Sequence, residues 1–126
     1  MIIPDTSVWI EFLRGKEPFL TEPGLLLEER QVIALECIFG ELLQGAKTRR
    51  ERTVITDYWN NLPKIEEQGL WVKAGLHADE RKLVTKGLGL IDVFILTTAK
   101  SSGARVWTLD KKMASLLAEN TTTRLA

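Results

Sequence analysis

The chain has 126 residues, 44% of them hydrophobic, enough to bury one core in one domain spanning 1–126. Lysine plus arginine equals aspartate plus glutamate at 17 each, which excludes a global positive field and leaves nucleic-acid binding to local patches. The lone Cys37 excludes an intrachain disulfide; with no basic leader and with charges interrupting every apolar run, a soluble, unprocessed, cytoplasmic protein without a membrane span is expected.

In chain order, "MII" reads as a short strand buried on both faces, with Pro4 at its C-terminal end because proline cannot donate to a ladder. "DTSVWIEFLRG" follows as a helix. Thr6 or Ser7 is its expected N-cap, Val8, Trp9, Phe12 and Leu13 recur at helical spacing, and Gly15 is the stop. "EPFLTEPGLLLEER" contains two prolines and a glycine and reads as a loop feeding a short helix that ends near Glu29. "QVIAL" is expected as a second buried strand, and "ECIFGELLQGAKTRRER" as a helix with Ile38, Leu42 and Leu43 on its inner side. Gly40 inside that helix costs roughly 1 kcal/mol against alanine and suggests close packing. A helix over "RTVITDYWNNL" ends at Pro63, "PKIEE" is a weak strand candidate, and "LWVKAGLHADERKLVTKG" reads as one long amphipathic helix closed by Gly87. After "LGL" come the helix "IDVFILTTAKSSG", the strand "ARVWTL", the helix "DKKMASLLAEN" and the tail "TTTRLA" as an edge strand.

Strands alternating with helices over this length indicate an α/β fold with a mainly parallel sheet, whose chemistry gathers beyond the carboxyl ends of the strands. Four acids stand at such junctions among apolar neighbours. Asp5 ends the first strand, Glu41 lies in the first turns of the helix after the second, Asp92 opens a helix, and Asp110 follows "VWTL". Brought together, they would share a partly buried volume that raises their pKa values or demands a cation, and hard oxygen ligands suit Mg²⁺ or Mn²⁺. Taken singly, Asp92 and Asp110 are equally well explained as helix caps. Glu41 is too far into its helix for that.

These residues resemble the PIN domain, in particular the compact VapC-type ribonuclease toxins of toxin–antitoxin pairs. "IIPDTSVWIEFLRG" looks like the opening acid motif of that family, "FGELLQGA" like its second, "LGLIDVFILTTA" like its third and "VWTLDKKM" like its fourth, in matching order over essentially the whole chain. The resemblance implies a three-layer α/β/α sandwich on a parallel sheet of about five strands, metal-dependent RNA cleavage, and inhibition by a small VapB-like antitoxin. It carries Asp5, Glu41, Asp92 and Asp110 over as metal-binding, catalytic acids, with Thr6, Ser7 and Thr108 as candidates to orient a carboxylate or a water. Pro4 replaces the usual aliphatic residue, and Lys112 and Met113 stand where an acid or asparagine and then an aromatic are common; neither change removes an acid.

Hydrolysis of a phosphodiester by metal-activated water needs no protein nucleophile and would leave 5′-phosphate and 3′-hydroxyl ends. His77, mid-helix, and Cys37, on an apolar helix, are read as structural. An acidic pocket repels RNA unless cations flank it, so Arg14, Lys47, Arg49, Arg50, Arg52, Lys111 and Lys112 are candidates to grip phosphates. The competing reading of the "AKTRRER" cations is a solvated helix C-terminus. Trp9 and Trp107 are expected in the core, and Trp59 and Trp71 buried or in a dimer or antitoxin groove. An apolar groove between early helices would suit an antitoxin helix, and a homodimer through helices is expected. Phosphatase and receiver readings lack their second acids; the remaining alternative is a non-catalytic PIN-like RNA- or protein-binding module.

Overall fold

The computed structural model describes residues 1–15, 17, 20–118 and 123–125, the last three as backbone. The strands β1 (Ile2–Pro4), β2 (Arg105–Thr108) and β3 (Thr123–Leu125) pair in the order β1-β2-β3, all parallel. Ile3 lies opposite Val106 and Pro4 opposite Trp107, which puts the carboxyl ends of β1 and β2 side by side. On the far side of β1 the expected strand "QVIAL" makes one bridge, Ile2 to Val32, and "PKIEE" makes another, Ala34 to Lys64.

Three laddered strands therefore stand where about five were expected, and for the pairing of β1 with "QVIAL" Pro4 supplies a reason. Alternate residues of a parallel strand bond to opposite neighbours. Ile2 donates to the Gln31 carbonyl (2.7 Å) and accepts from Ile33 N–H (2.9 Å), so Pro4 would be the next donor on that side and has no N–H to give. The odd residues are unaffected, and Asp5 N–H donates to the Trp107 carbonyl at 2.9 Å.

Seven α-helices are described: α1 (Thr6–Leu13), α2 (Thr21–Glu28), α3 (Glu36–Gly45), α4 (Arg49–Asn61), α5 (Leu70–Glu80), α6 (Leu90–Ser102) and α7 (Lys111–Ala118). The end of the expected helix "DKKMASLLAEN" and parts of "TTTRLA" and "EPFLTEPGLLLEER" lie outside the described residues. The sheet buries its two faces differently, as the two-residue period requires. Ile3 and Val106 join the main core with Ile38, Phe39, Val93, Phe94 and Leu117, whereas Ile2 and Trp107 pack with Val8. Among the described residues no helix is long and apolar enough to cross a membrane.

Several boundaries differ from expectation for local reasons. Asp5, not Thr6 or Ser7, is the N-cap of α1, accepting from Val8 N–H. The helix expected through Arg52 stops at Gly45, because Thr48 starts a new one: its hydroxyl accepts from Glu51 N–H (3.1 Å) while the Glu51 carboxylate accepts from Lys47 N–H (2.6 Å). Ile38 and Leu42 face the core, but Leu43 is 38% exposed, its inner place taken by Phe39. A Cβ on Gly40 would meet open space, so close packing does not explain that glycine. The long helix expected up to Gly87 breaks after Glu80. Lys82 adopts φ +54, and its carbonyl accepts from both the hydroxyl (2.6 Å) and the N–H (3.2 Å) of Thr85, starting a 3-10 turn over Leu83–Lys86. The proline at 63 acts as expected: Leu62 before it is extended, and α4 ends at Asn61.

Candidate active site

Asp5 is carried past the end of β1 by a sheet register that also delivers Thr108, and it is 6% exposed in a setting that supplies it with donors. The Thr108 hydroxyl donates to its Oδ2, while Ser7 Oγ–H and Val8 N–H donate to its Oδ1. Both hydroxyls also accept: Thr108 Oγ1 from Asp110 N–H (3.0 Å) and Ser7 Oγ from Leu109 N–H (3.1 Å). Two side chains thereby clip the β1–α1 junction to the β2–α7 junction, with the Asp5 carboxylate as the shared acceptor. A buried carboxylate is tolerable only when so provided.

The other acids are set by helix starts. Asp110 Oδ1 caps α7, accepting from Lys112 N–H (2.9 Å) and Met113 N–H (3.3 Å). Asp92, in the first turn of α6, accepts from Gly89 N–H, the reach-back half of a capping box. The capping role read from the sequence for these two is therefore real, and it uses only part of each carboxylate's accepting capacity. Glu41 sits mid-α3 and accepts from the Thr6 hydroxyl at 2.9 Å.

Electrostatics tie the four together. Burial raises the Asp92 carboxyl above its ordinary value, the Gly89 hydrogen bond opposes this, and the charges of Asp110, Asp5 and Glu41 push it up further. Acids from three other segments thus act on Asp92. They do not form a closed ligand set: among the described residues no three His, Cys, Asp or Glu side chains are already placed to hold an ion. Like charges drive such side chains apart, and three of these, Asp5, Asp92 and Asp110, are tied to helix starts. The donor set, all carboxylate oxygen and mutually repelling, fits a divalent cation and suits a soft metal poorly.

Beside Glu41 a groove of about 660 Å³ runs between α1, α3 and the start of α4. Ile10, Leu13, Leu42, Val54 and Ile55 form its apolar walls, and Arg14, Lys47 and Arg50 its cationic edge. Arg14 is also paired with Glu11 at 3.0 Å. Of the "AKTRRER" cations only Lys47 stands at a helix C-terminus, just past the end of α3. Arg49, Arg50 and Arg52 occupy the first turns of α4, where the helix dipole disfavours positive charge, so helix stability does not account for them. Arg49 and Lys111 are exposed and outside the groove lining. The walls from α4, Val54 and Ile55, lie on the helix expected over "RTVITDYWNNL".

The remaining candidates fall as follows. Trp9 and Trp107 are buried, and Trp9 packs edge-on to Phe39 with centroids 5.1 Å apart. Trp59 lies against Phe39 and beneath Lys64 Nζ (4.6 Å); Trp71, 37% exposed, stacks on Phe94 at 3.9 Å. Burial, then Glu67 and Glu41, push the Cys37 thiol up to about 12, so it stays protonated and unreactive. His77 is held below its usual value by burial and by Arg81, Lys100 and Lys73. Glu67, not singled out in the sequence, accepts from Glu36 N–H (3.1 Å) at the start of α3.

A PIN domain family model matches residues 2–117 of the chain. Ribonuclease VapC32, from two strains of Mycobacterium tuberculosis, is 34% identical over 124 residues, covering 95% of this chain and 93% of each relative. With acid-bearing junctions gathered at the carboxyl end of a parallel sheet and a family match over nearly its whole length, the chain belongs to the PIN domain family.

Proposed function

We propose that this protein is a Mg²⁺- or Mn²⁺-dependent endoribonuclease, acting as the cytoplasmic toxin of a toxin–antitoxin pair. The observation that carries the reading is the field at Asp92, raised by Asp110, Asp5 and Glu41 together. Similarity to a ribonuclease of the VapC type over 95% of the chain supports the substrate class. The helices over the two sheet faces are read as the outer layers of an α/β/α sandwich.

In this reading Asp5, Glu41, Asp92 and Asp110 would hold the ion. When bound, it supplies Lewis acidity and charge neutralisation for phosphodiester hydrolysis. The chain's own contribution is to keep four anions poised. Ser7 and Thr108 hold Asp5 as a fixed acceptor, Thr6 steadies Glu41, and the Gly89 and α7 caps orient Asp92 and Asp110. Arg14, Lys47 and Arg50 in the groove, Arg49 at the start of α4 and Lys111 beside Asp110 offset these charges for an approaching RNA. The groove's apolar walls fit an amphipathic antitoxin segment, which would cover the same cations, and a cation on that segment could reach Glu41. For a homodimer the supporting features are exposed Val72 and Leu76, one turn apart on α5, with Val84, Leu90 and Ile91 exposed nearby in sequence.

The test is RNA cleavage with Mg²⁺ or Mn²⁺ by the wild type and Asp5→Asn. Metal-dependent cleavage lost in Asp5→Asn is expected. Cleavage unchanged by the substitution would remove Asp5 from the mechanism, and RNA binding without cleavage would favour the non-catalytic module.

A further inference from the structure

We propose that Lys112 binds a phosphate of the RNA on the α6–α7 side of the acids, a contact separate from the groove cations on the α1–α3–α4 side. The inference rests on the ribonuclease reading and extends it to a residue outside the groove. The root of Lys112 is fixed to the site, because its N–H donates to Asp110 Oδ1 at 2.9 Å. Its side chain then runs to the turn that precedes α6: a Cβ built on Gly87 would lie 3.1 Å from Lys112 Nζ, 3.5 Å from Cδ and 3.6 Å from Cε. Gly87 has φ +82, which admits glycine readily, and its lack of a side chain leaves room for the amine. Two residues further on is Gly89, the N-cap of α6 that donates to Asp92. The ammonium therefore lies between the segment that carries Asp110 and the turn that leads to Asp92.

Among the described residues no ion pair or hydrogen bond engages that ammonium. An ammonium has three donors and no acceptor, and one left without an ion-pair partner stays open to an outside anion. The anion in question is a polymer. A strand laid across four carboxylates carries phosphates to both sides of them, and cations on one side alone would leave the other half of the path repulsive. Arg14, Lys47 and Arg50 line the groove, and Lys112 lies outside it, against the turn that precedes α6. A purely structural role, an ammonium resting at the carboxyl end of the 3-10 turn, is the competing explanation.

The experiment measures binding of a fluorescein-labelled single-stranded RNA in EDTA by anisotropy across a KCl series, alongside thermal melting and a Mn²⁺ cleavage assay of the wild type. Each lost contact to a single strand lowers the slope of log affinity against log salt by about 0.7, which extrapolates from 1 M to roughly eightfold weaker binding at 50 mM. Lys112→Ala is expected to show that change with an unaltered melting temperature, Lys112→Arg to keep the wild-type slope, and Lys112→Ala with Arg50→Ala to lose about 1.4. A wild-type slope in Lys112→Ala overturns the proposal, and a lowered melting temperature with that slope assigns Lys112 to the structural role. If the wild type binds and cleaves RNA in either case, only the Lys112 proposal falls; if it does neither, the ribonuclease reading falls with it.

Discussion

Thr108→Val tests the clip at the heart of the site with almost no change of shape. Thr108 is fully buried; its hydroxyl donates to Asp5 Oδ2 and accepts from Asp110 N–H. Valine removes both bonds at once. A hydrogen bond to a charged group contributes about 1.5–3 kcal/mol and a neutral one about 1, so the combined loss is about 2.5–4 kcal/mol. For a domain of this size that corresponds to a fall in melting temperature on the order of 10–15 °C. The assay is urea and thermal unfolding in EDTA and again with Mg²⁺, where a cation drawn to Asp5 offsets part of the deficit, with Thr108→Ser restoring most of the stability. A Thr108→Val protein within about 0.5 kcal/mol of wild type in EDTA would refute the reasoning, since that is the scatter of an inconsequential surface change.

Asp92→Asn removes a charge but keeps an acceptor for Gly89. Because burial and its acidic neighbours raise the Asp92 carboxyl above its ordinary value of 3.8, the folded state holds that proton more tightly than the unfolded one. The associated stability is complete below about pH 3.8 and is lost as pH rises through the higher folded value. In EDTA, urea midpoints of the wild type should therefore fall relative to Asp92→Asn across that window, and Mg²⁺ should reverse the difference; parallel curves would contradict the shared field. Cys37, its thiol pushed up to about 12, should resist iodoacetamide at pH 8 in the folded protein and react once urea unfolds it, as followed by mass spectrometry. Gly40→Ala, entering open space on a helix, should stabilise the protein by roughly 1 kcal/mol in urea titrations.

The parts of the fold legible in the sequence were those with a strong local signal. The apolar runs around Ile3 and Val106, the helical spacing of Val8, Trp9 and Phe12, and the stop at Pro63 all correspond to observed features. Where two local signals competed, the reading slipped. Ala46 to Arg52 is mostly helix-forming residues, and the cap in which Thr48 accepts from Glu51 N–H and Glu51 accepts from Lys47 N–H divides it, which sets Arg49 and Arg50 at the start of α4 and not at the end of α3. Thr85 hid a break in the same way, by bonding back to Lys82. One of the two strands that did not ladder is explained by Pro4, which silences the side of β1 facing Val32 and spares the side facing β2; the single bridge of "PKIEE", Ala34 to Lys64, does not involve β1. For the acids, chain position identified the junctions. It could not show that Asp5 draws donors from both Ser7 and Thr108, since that depends on a register between residues more than a hundred apart.

The most direct measurement is anomalous diffraction from a crystal soaked in Mn²⁺. The account predicts density bounded by carboxylate oxygens of Asp5, Glu41, Asp92 and Asp110, with a marked loss of the peak in Asp5→Asn. Mn²⁺ bound only elsewhere on the surface, or a peak that survives Asp5→Asn at full strength, would contradict it.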